Sequence, residues 1–436
     1  MRTQRKIEKM RRALMRSNTR LLLTAVAVFE LLAMLLIALK PETASWQPLI
    51  LAAALPLGTI LITNLMGRIW PVDRAILILV LLLCSIGIIT LSDVAKSEIT
   101  PRTQAVYAGA GVIAMFMGAG IIRGFSNWKK YTPVLGILCL LALLSPWVIG
   151  SWNNGARNWI SIGPASNPYF SLQPSEFMKP VLIVVLAAGF CNRARFGSCL
   201  PYIAFAAVCC GVLLTERDLG ALLLYFLTTV LMYYAASSNA LLSLAGLGMG
   251  AGAAVIAYKA FPYVQDRISI WKNPWSDPLD TGYQIVRALA AIGSGGLFGM
   301  GLGLGMPQSV PMYHNDFIFT SIAEEFGLIF SIGLLAIYVI IIFRGLLVAM
   351  NARTSFHSLT AFGIVIIFGL QALLIVGGNT KMLPLTGVTL PLISYGGSSL
   401  VSTFFSMGLL LGISSANAED EARDINRIEL REGGVL

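Results

Sequence analysis

The sequence predicts an all-α polytopic membrane protein of about twelve transmembrane helices, with both termini cytoplasmic and two large extracytoplasmic loops. Three observations carry this. Of the 436 residues, 56% are hydrophobic and only 12% are charged, where a soluble domain carries about 25% charged residues. Twelve separate apolar runs approach the roughly 20 residues needed to cross a bilayer. The Lys and Arg residues between these runs divide unevenly, and that imbalance sets orientation.

The runs lie at 20–39, 48–66, 75–92, 105–122, 132–150, 177–190, 200–214, 219–235, 240–260, 317–343, 357–376 and 396–414. Residues 1–19 form a basic leader, too basic and too long for the n-region of a signal peptide. No small-residue cleavage site follows the first run, so no cleavable signal is expected. Placing the leader in the cytoplasm puts 20 of the 31 Lys and Arg on the inner side and 9 in outer loops, with Lys179 and Lys259 inside spans. The chain then divides into the leader, an N-terminal helix pair over 20–74, a core over 75–414 and a tail over 415–436. The tail is charged and is expected to be a short solvated helix or disordered.

Composition excludes several classes. The net charge of +10 does not point to nucleic acid, because the bases sit in short loops where they set topology. Six cysteines in spans or cytoplasmic loops imply no disulfide framework. Two histidines, with no Cys/His ligand spacing, exclude a zinc site.

Two long outer loops remain, 151–176 and 261–316. Their Trp, Gly and Pro content, with interspersed acids and bases, argues for ordered, packed loops. "QPSEFMKP" places Glu176 and Lys179 three apart on one helix face. A charge this deep should face a partner or a cavity; the plainer reading is a snorkelling pair that anchors the helix top. "TERDLG" puts Glu216, Arg217 and Asp218 in a tight outer turn, where Asp218 suits an N-cap. His314 and Asp316 sit at an outer lip. Glu324 and Glu325 fall inside the tenth span and must be neutral, paired or facing water.

In 383–400, Pro384, Pro391, Gly387, Gly396 and Gly397 break helical geometry. Broken backbone at membrane depth survives only in protein or beside a wet cavity, so this segment is either a loop re-entering the outer leaflet or a surface loop. "NPWSDPLDTGYQ", residues 273–284, presents Asp277 from a loop constrained by Pro274, Pro278 and Gly282, near Arg267, Lys272 and Arg287; alternatively Asp277 only caps a turn. The seven glycines from Gly293 to Gly305 follow no strand and lie outside, which excludes a nucleotide-binding loop.

One outward face thus offers acids (Glu176, Asp218, Asp277, Asp316) and bases (Arg157, Lys179). Cations there suit a lipid-linked phosphate or pyrophosphate, and a carboxylate beside them suits a general base. That chemistry fits sugar transfer from a lipid pyrophosphate. The residues alone establish only a polytopic membrane protein with a polar outward site.

In their order, "NGARNWISIG", "QPSEFMKP", "DLG", "NPWSDPLDTGYQ", "AIGSGGLFGMGLG", "HNDFIF…AEEFG" and "LPLTGVTLPLISYGGSSL" resemble the SEDS (shape, elongation, division and sporulation) family, which includes FtsW-, RodA- and SpoVE-like proteins. The resemblance covers 75–414. It implies a ten-helix core, with 20–74 as two extra N-terminal helices. It also implies a peptidoglycan glycosyltransferase in the bacterial cell membrane. Such an enzyme polymerises lipid II into β-1,4 glycan strands at the outer face during cell division or elongation, beside a class B penicillin-binding protein.

Carried over residue by residue, the resemblance makes Asp277 the catalytic carboxylate, a general base. Arg157, Glu176, Lys179 and Asp218, with His314 and Asp316, bind substrate pyrophosphate or tune the site. Whether a divalent cation, Mg or Mn, sits near Asp277 stays open. So do two other functions: a lipid II flippase, and a non-catalytic scaffold that activates the penicillin-binding protein. Asp280 stands where many members have Gly, Asn315 where Thr is common, and Arg217 where Pro is frequent. Lys381 is an unexpected charge.

Overall fold

A computed structural model describes residues 2–40, 46–94, 99–124, 128–153, 156–162, 170–192 and 196–432. In chain order its helices are α1 (Arg2–Ala38), α2 (Gln47–Ile69), α3 (Arg74–Val94), α4 (Ile99–Gly124), α5 (Trp128–Ile149), α6 (Pro174–Phe190), α7 (Phe196–Thr215), α8 (Leu219–Ser237), α9 (Ala240–Ala260), α10 (Pro262–Lys272), α11 (Tyr283–Gly295), α12 (Ile318–Met350), α13 (Ser355–Asn379) and α14 (Gly397–Glu432). All but α10 and α11 match the expected spans in order. Among the described residues, eleven helices are long and apolar enough to cross a membrane. The remaining one, α6, has 17 residues, about 25 Å at 1.5 Å per residue, the lower limit for a spanning helix. The chain is a multi-pass membrane protein. Below, "outer end" means the end of the bundle that the charge rule places outside.

Helix α3 is apolar all round and almost entirely buried from Ile76 to Leu91, as expected for a central helix. Helices α4 and α14 cross closely because glycines remove the side chains between them. A Cβ at Gly408 would collide with the Met115 carbonyl, and one at Gly118 with the Phe405 carbonyl. Small residues at a crossing let backbones approach where no hydrophobic effect drives helices together. The N-terminal pair is joined to this core. Glu30, fully buried in α1, accepts from Thr59 Oγ1 of α2 at 2.9 Å and from Ser85 Oγ of α3 at 2.6 Å.

The described parts of the outer loops carry regular structure. Residues 151–172 hold three short antiparallel strands, β1 (Ser151–Asn153), β2 (Ala156–Ile162) and β3 (Phe170–Leu172), in the order β1-β2-β3 with Ser161 opposite Ser171. This small sheet is an addition to the all-helical expectation. Residues 154–155 and 163–169 of that loop lie outside the described residues. The second loop, 261–316, carries α10 and α11.

The tenth span is broken. Gly327 sits at φ 82° and ψ 176° inside α12, and the glycine-rich segment runs alongside to satisfy the interrupted backbone. Met300 N–H donates to Glu324 O at 2.9 Å and Gly301 N–H to Glu325 O at 3.0 Å. On the far side of the break, Leu328 N–H donates to Gly296 O at 3.0 Å and Ile329 N–H to Leu297 O at 3.2 Å. Such closure is what allows non-helical backbone at membrane depth. Gly299 must lack a side chain, since a Cβ there would collide with the Glu325 carbonyl.

Residues 381–396 are irregular, and Leu390 to Ser394 are buried in the protein. Tyr338 Oη donates to Pro391 O at 2.6 Å and Gln104 Nε2 to Ser394 O at 3.0 Å. The segment is thus packed among helices, not laid over the surface. Of the two expectations for the tail the helix holds, since α14 runs uninterrupted from the last span to Glu432, and residues 433–436 lie outside the described residues. At the inner end Arg123 pairs with Glu419 at 2.7 Å, and Arg344 with Asp73 at 2.7 Å.

Candidate functional site

The floor of the site is built where α6 and α8 begin. Asp218 caps α8, accepting from Ala221 N–H at 3.0 Å. Its other oxygen accepts from Asn158 Nδ2 at 3.1 Å, Gln173 Nε2 at 2.9 Å and Ser175 Oγ at 3.1 Å. The cap expected of Asp218 is therefore real, and the same carboxylate ties β2 to the starts of α6 and α8. Two residues earlier, Glu216 is buried at 1% exposure. Desolvation, helped by the neighbouring Asp218 charge, pushes its carboxyl up to about 8.

Glu176 and Lys179 are both buried at the head of α6. Lys179 Nζ donates to both Glu176 oxygens at 2.7 Å and to Gln371 Oε1 of α13 at 2.9 Å. Gln371 Nε2 donates onward to Thr389 O at 2.9 Å, and the Thr389 and Ser399 hydroxyls meet at 2.7 Å. Ser402 Oγ of α14 donates to Glu176 O at 2.5 Å. The pair does not snorkel. It is the centre of a polar network joining α6, α13, the irregular segment and α14.

Arg157 lies at one side. Its backbone N–H donates to Glu216 O at 3.2 Å and its Nε to Gly150 O at 3.4 Å, while the guanidinium lies 5.8 Å from the Trp147 ring centre.

Above this floor, the loop with Asp277 is fastened to the irregular segment at three points. Arg267 Nη1 donates to Leu385 O at 3.0 Å and Trp271 Nε1 to Lys381 O at 3.1 Å. Lys381 Nζ returns to sit 4.9 Å from the Trp275 ring centre. Arg267 also faces Asp218 and Asp316, and its burial lowers its pKa from the ordinary arginine value. Desolvation pushes the Asp316 carboxyl up to about 6 against the opposing pull of Arg267. His314 is flanked by the Tyr313 and Tyr395 rings at 5.0 and 5.8 Å. Burial lowers its imidazole pKa, which favours the neutral form.

Asp277 itself is half-buried. Its carboxylate accepts from Thr281 Oγ1 at 3.2 Å and, at longer range, from the backbone N–H groups of Asp280 at 3.3 Å and Thr281 at 3.4 Å. Gly282 closes the turn by donating to Asp277 O at 2.9 Å. A Cβ at Gly282 would collide with the Pro274 carbonyl, so glycine is required there. Turn cap and presented acid are the same residue. Asp280 contributes its backbone N–H to this turn.

Five of the seven expected residues fall into two groups, and Arg157 and Asp277 stand apart from both. Glu176, Lys179 and Asp218 form the floor. His314 and Asp316 flank the irregular segment, near Arg267. Among the described residues no hydrogen bond or ion pair joins Asp277 to Arg157, Glu176, Lys179, Asp218, His314 or Asp316. No three His, Cys, Asp or Glu side chains among them are grouped so as to hold a metal. The donor set around Asp277 does not make a cation site, and a divalent ion there would need most of its ligands from substrate. Gln371 and Lys381 join the site without having been singled out for it, and Arg267 takes a larger part than a nearby loop cation. Gln371 was detectable as a lone amide in the apolar run "FGLQALL".

A family model described as "Cell cycle protein" (FtsW/RodA/SpoVE) matches residues 69–419. The chain is 33% identical over 369 residues to peptidoglycan glycosyltransferase RodA of Mycobacterium tuberculosis, covering 78% of each chain. It is 32% identical over 364 residues to stage V sporulation protein E of Bacillus subtilis, covering 78% of this chain and 96% of that one. It also resembles a solved chain described under "Structural coordination of polymerization and crosslinking by a peptidoglycan synthase complex". That match has a TM-score of 0.67 at 27% identity and covers 79% of this chain and 98% of the other.

Proposed function

The chain belongs to the FtsW/RodA/SpoVE family, and from that premise we propose how its outer-end groups perform their chemistry. It is a peptidoglycan glycosyltransferase. Its substrates are lipid II and the growing glycan strand, and the site faces outward from the bacterial cell membrane. Asp277 is the general base. Its carboxylate takes the proton from the 4-hydroxyl of the acceptor sugar. The freed oxygen bonds to the anomeric carbon of the donor while the bond from that carbon to undecaprenyl pyrophosphate breaks, and the leaving group departs with the electron pair. A positioned base of this kind contributes about 10²–10⁴-fold.

The single observation that supports this reading is the mounting of Asp277. The acid is held by Thr281 in a turn, and the loop bearing that turn is fastened to the irregular segment by Arg267 and Trp271. Arg267, which ties the Asp277 loop to the irregular segment, is the cation proposed to meet the donor pyrophosphate. Lys179 and Glu176 are committed to each other and to Gln371, so they shape the seat of the substrate. The partner is a class B penicillin-binding protein that crosslinks the strands.

The test is polymerisation of lipid II by the purified chain with that partner. Asp277→Ala abolishes glycan strands, and full activity in the variant would sink the assignment. No particular observation favours the flippase or scaffold readings.

A further inference from the structure

Helices α1 and α2 precede the segment matched by the family model, 69–419, yet α1 brackets the break in α12. Phe29 of α1 stacks on Phe330 at 6.3 Å, and Phe330 stacks at 4.6 Å on Phe326, the residue before Gly327. At the outer end of α1, Lys40 Nζ is ion-paired with Asp93 at the end of α3. Both meet the glycine-rich segment at Gly303, where a Cβ would collide with the Lys40 ammonium and lie 3.4 Å from Asp93 Oδ1. Gly303 N–H donates to Glu325 Oε1 at 3.3 Å and Met306 N–H to Glu324 Oε1 at 2.9 Å. Gln308 Nε2 donates to Val94 O of α3 at 3.2 Å.

Three acidic side chains therefore close around residues 303–308. The Asp93 and Glu325 carboxyls lie against each other, and among the described residues Glu324 Oε2 is buried without a partner. The cation that faces Glu325 is Lys40. Asp93 deprived of Lys40 would be a buried charge without its partner, so the packing around Gly303 depends on a residue from outside the matched core. The segment is continuous through α11 with the Asp277 turn, and Gly295, the last residue of α11, is packed so tightly that a Cβ would collide with the Ala323 carbonyl of α12.

We propose that Lys40 is a positioning residue for the glycosyltransferase reaction: from the N-terminal helix pair it clamps residues 296–308 onto the broken α12 and thereby sets the position of α11 and Asp277. The kinetic part of this rests on Asp277 being the base.

The test uses the full chain reconstituted with its crosslinking partner, as wild type, Lys40→Met and Lys40→Arg, with kinetics on lipid II and amide hydrogen exchange read side by side. Lys40→Met is expected to lower kcat about tenfold with KM unchanged within about twofold, since small misplacements of a reacting group are costly. It is also expected to lose exchange protection over residues 296–308. Lys40→Arg restores both. Protection unchanged in Lys40→Met overturns the clamp, and lost protection with unchanged kcat overturns the positioning role. If Lys40→Met does not purify as a monodisperse protein, Lys40→Gln/Asp93→Asn removes both charges and is expected to show the same two changes. The exchange readout is independent of the chemistry, so an error in the assignment of Asp277 would show separately, as full activity in Asp277→Ala with the protection pattern intact.

Discussion

Lys179 donates to both carboxylate oxygens of Glu176 at 2.7 Å, and the pair is buried three residues apart at the head of α6. Removing one member of a buried pair leaves an uncompensated charge, at about 3–5 kcal/mol. Lys179→Met is therefore expected to lose stability of that order in thermal or denaturant unfolding of the detergent-solubilised protein. The double variant Glu176→Gln/Lys179→Met should be less affected than the single one. Equal stabilities for Lys179→Met and the parent would mean that Glu176 is solvated.

Asp277 accepts hydrogen bonds from its own turn and is proposed to accept a substrate proton, and the two roles separate in Asp277→Asn. The amide oxygen can still accept from Thr281, so the melting temperature should hold. The base is gone, so lipid II polymerisation should fall by about 10²–10⁴-fold. Thr281→Val removes one neutral hydrogen bond, worth about 1 kcal/mol, and should leave most activity in place. A melting temperature in Asp277→Asn that falls along with its activity would show that the turn, not the base, was lost.

Glu216 gives a pH dependence with a definite sign. Its carboxyl is raised from 4.5 to about 8 by burial and by the Asp218 charge. The folded protein thus holds this proton more tightly than the unfolded chain does. The stability it contributes is fully present below its unfolded value and is lost as pH rises through the folded one. Glu216→Gln removes that loss. The melting temperature of the variant minus that of the parent should grow as pH rises from about 5 to about 9. A difference that stays flat across this range contradicts the burial of the acid.

Glycines in and around α12 should respond oppositely to alanine. Gly327 is at φ 82°, and a Cβ there would collide with the Gly299 amide. Gly327→Ala then combines left-handed strain with a backbone clash, at about 1–3 kcal/mol or more, and should impair folding yield. Gly333, in the regular part of α12, has nothing within 4 Å of an added Cβ. Gly333→Ala should be neutral or stabilising by up to about 1 kcal/mol. Expression and thermal unfolding of the two variants decide the matter.

What could be read from the sequence was what is written locally. The spans are continuous apolar runs. Asp277 is framed by Pro274, Pro278 and Gly282, and Asp218 precedes a helix it caps. The missed features depend on pairing between distant segments. A lone Gly327 in an apolar run reads as a tolerated helix glycine until the Gly296–Gly301 backbone is seen to complete it. The strand Ala156–Ile162 is short, though its alternation of Trp159 and Ser161 with Ile160 and Ile162 was a usable signal. Lys179 is expected from the sequence to face a partner or a cavity, but Gln371 cannot be named as one because it lies 192 residues away. Lys40 counted only as an outer-loop charge, because Asp93 is 53 residues on.

Helix α14 begins within the polar network and ends beyond the opposite end of the bundle. Its 36 residues make a rod of about 54 Å at 1.5 Å per residue. Near one end Ser398 accepts from Gln173 N–H at 3.1 Å and Ser402 donates to Glu176 O. Near the other, Ser415 and Glu419 take Arg123, and Asn417 Nδ2 donates to Val348 O at 2.9 Å. The protein thus contains an axle with no joint in it. The same unbroken helix that holds Arg123 at Glu419 therefore also holds the Glu176 backbone at Ser402, with no loop between the two contacts.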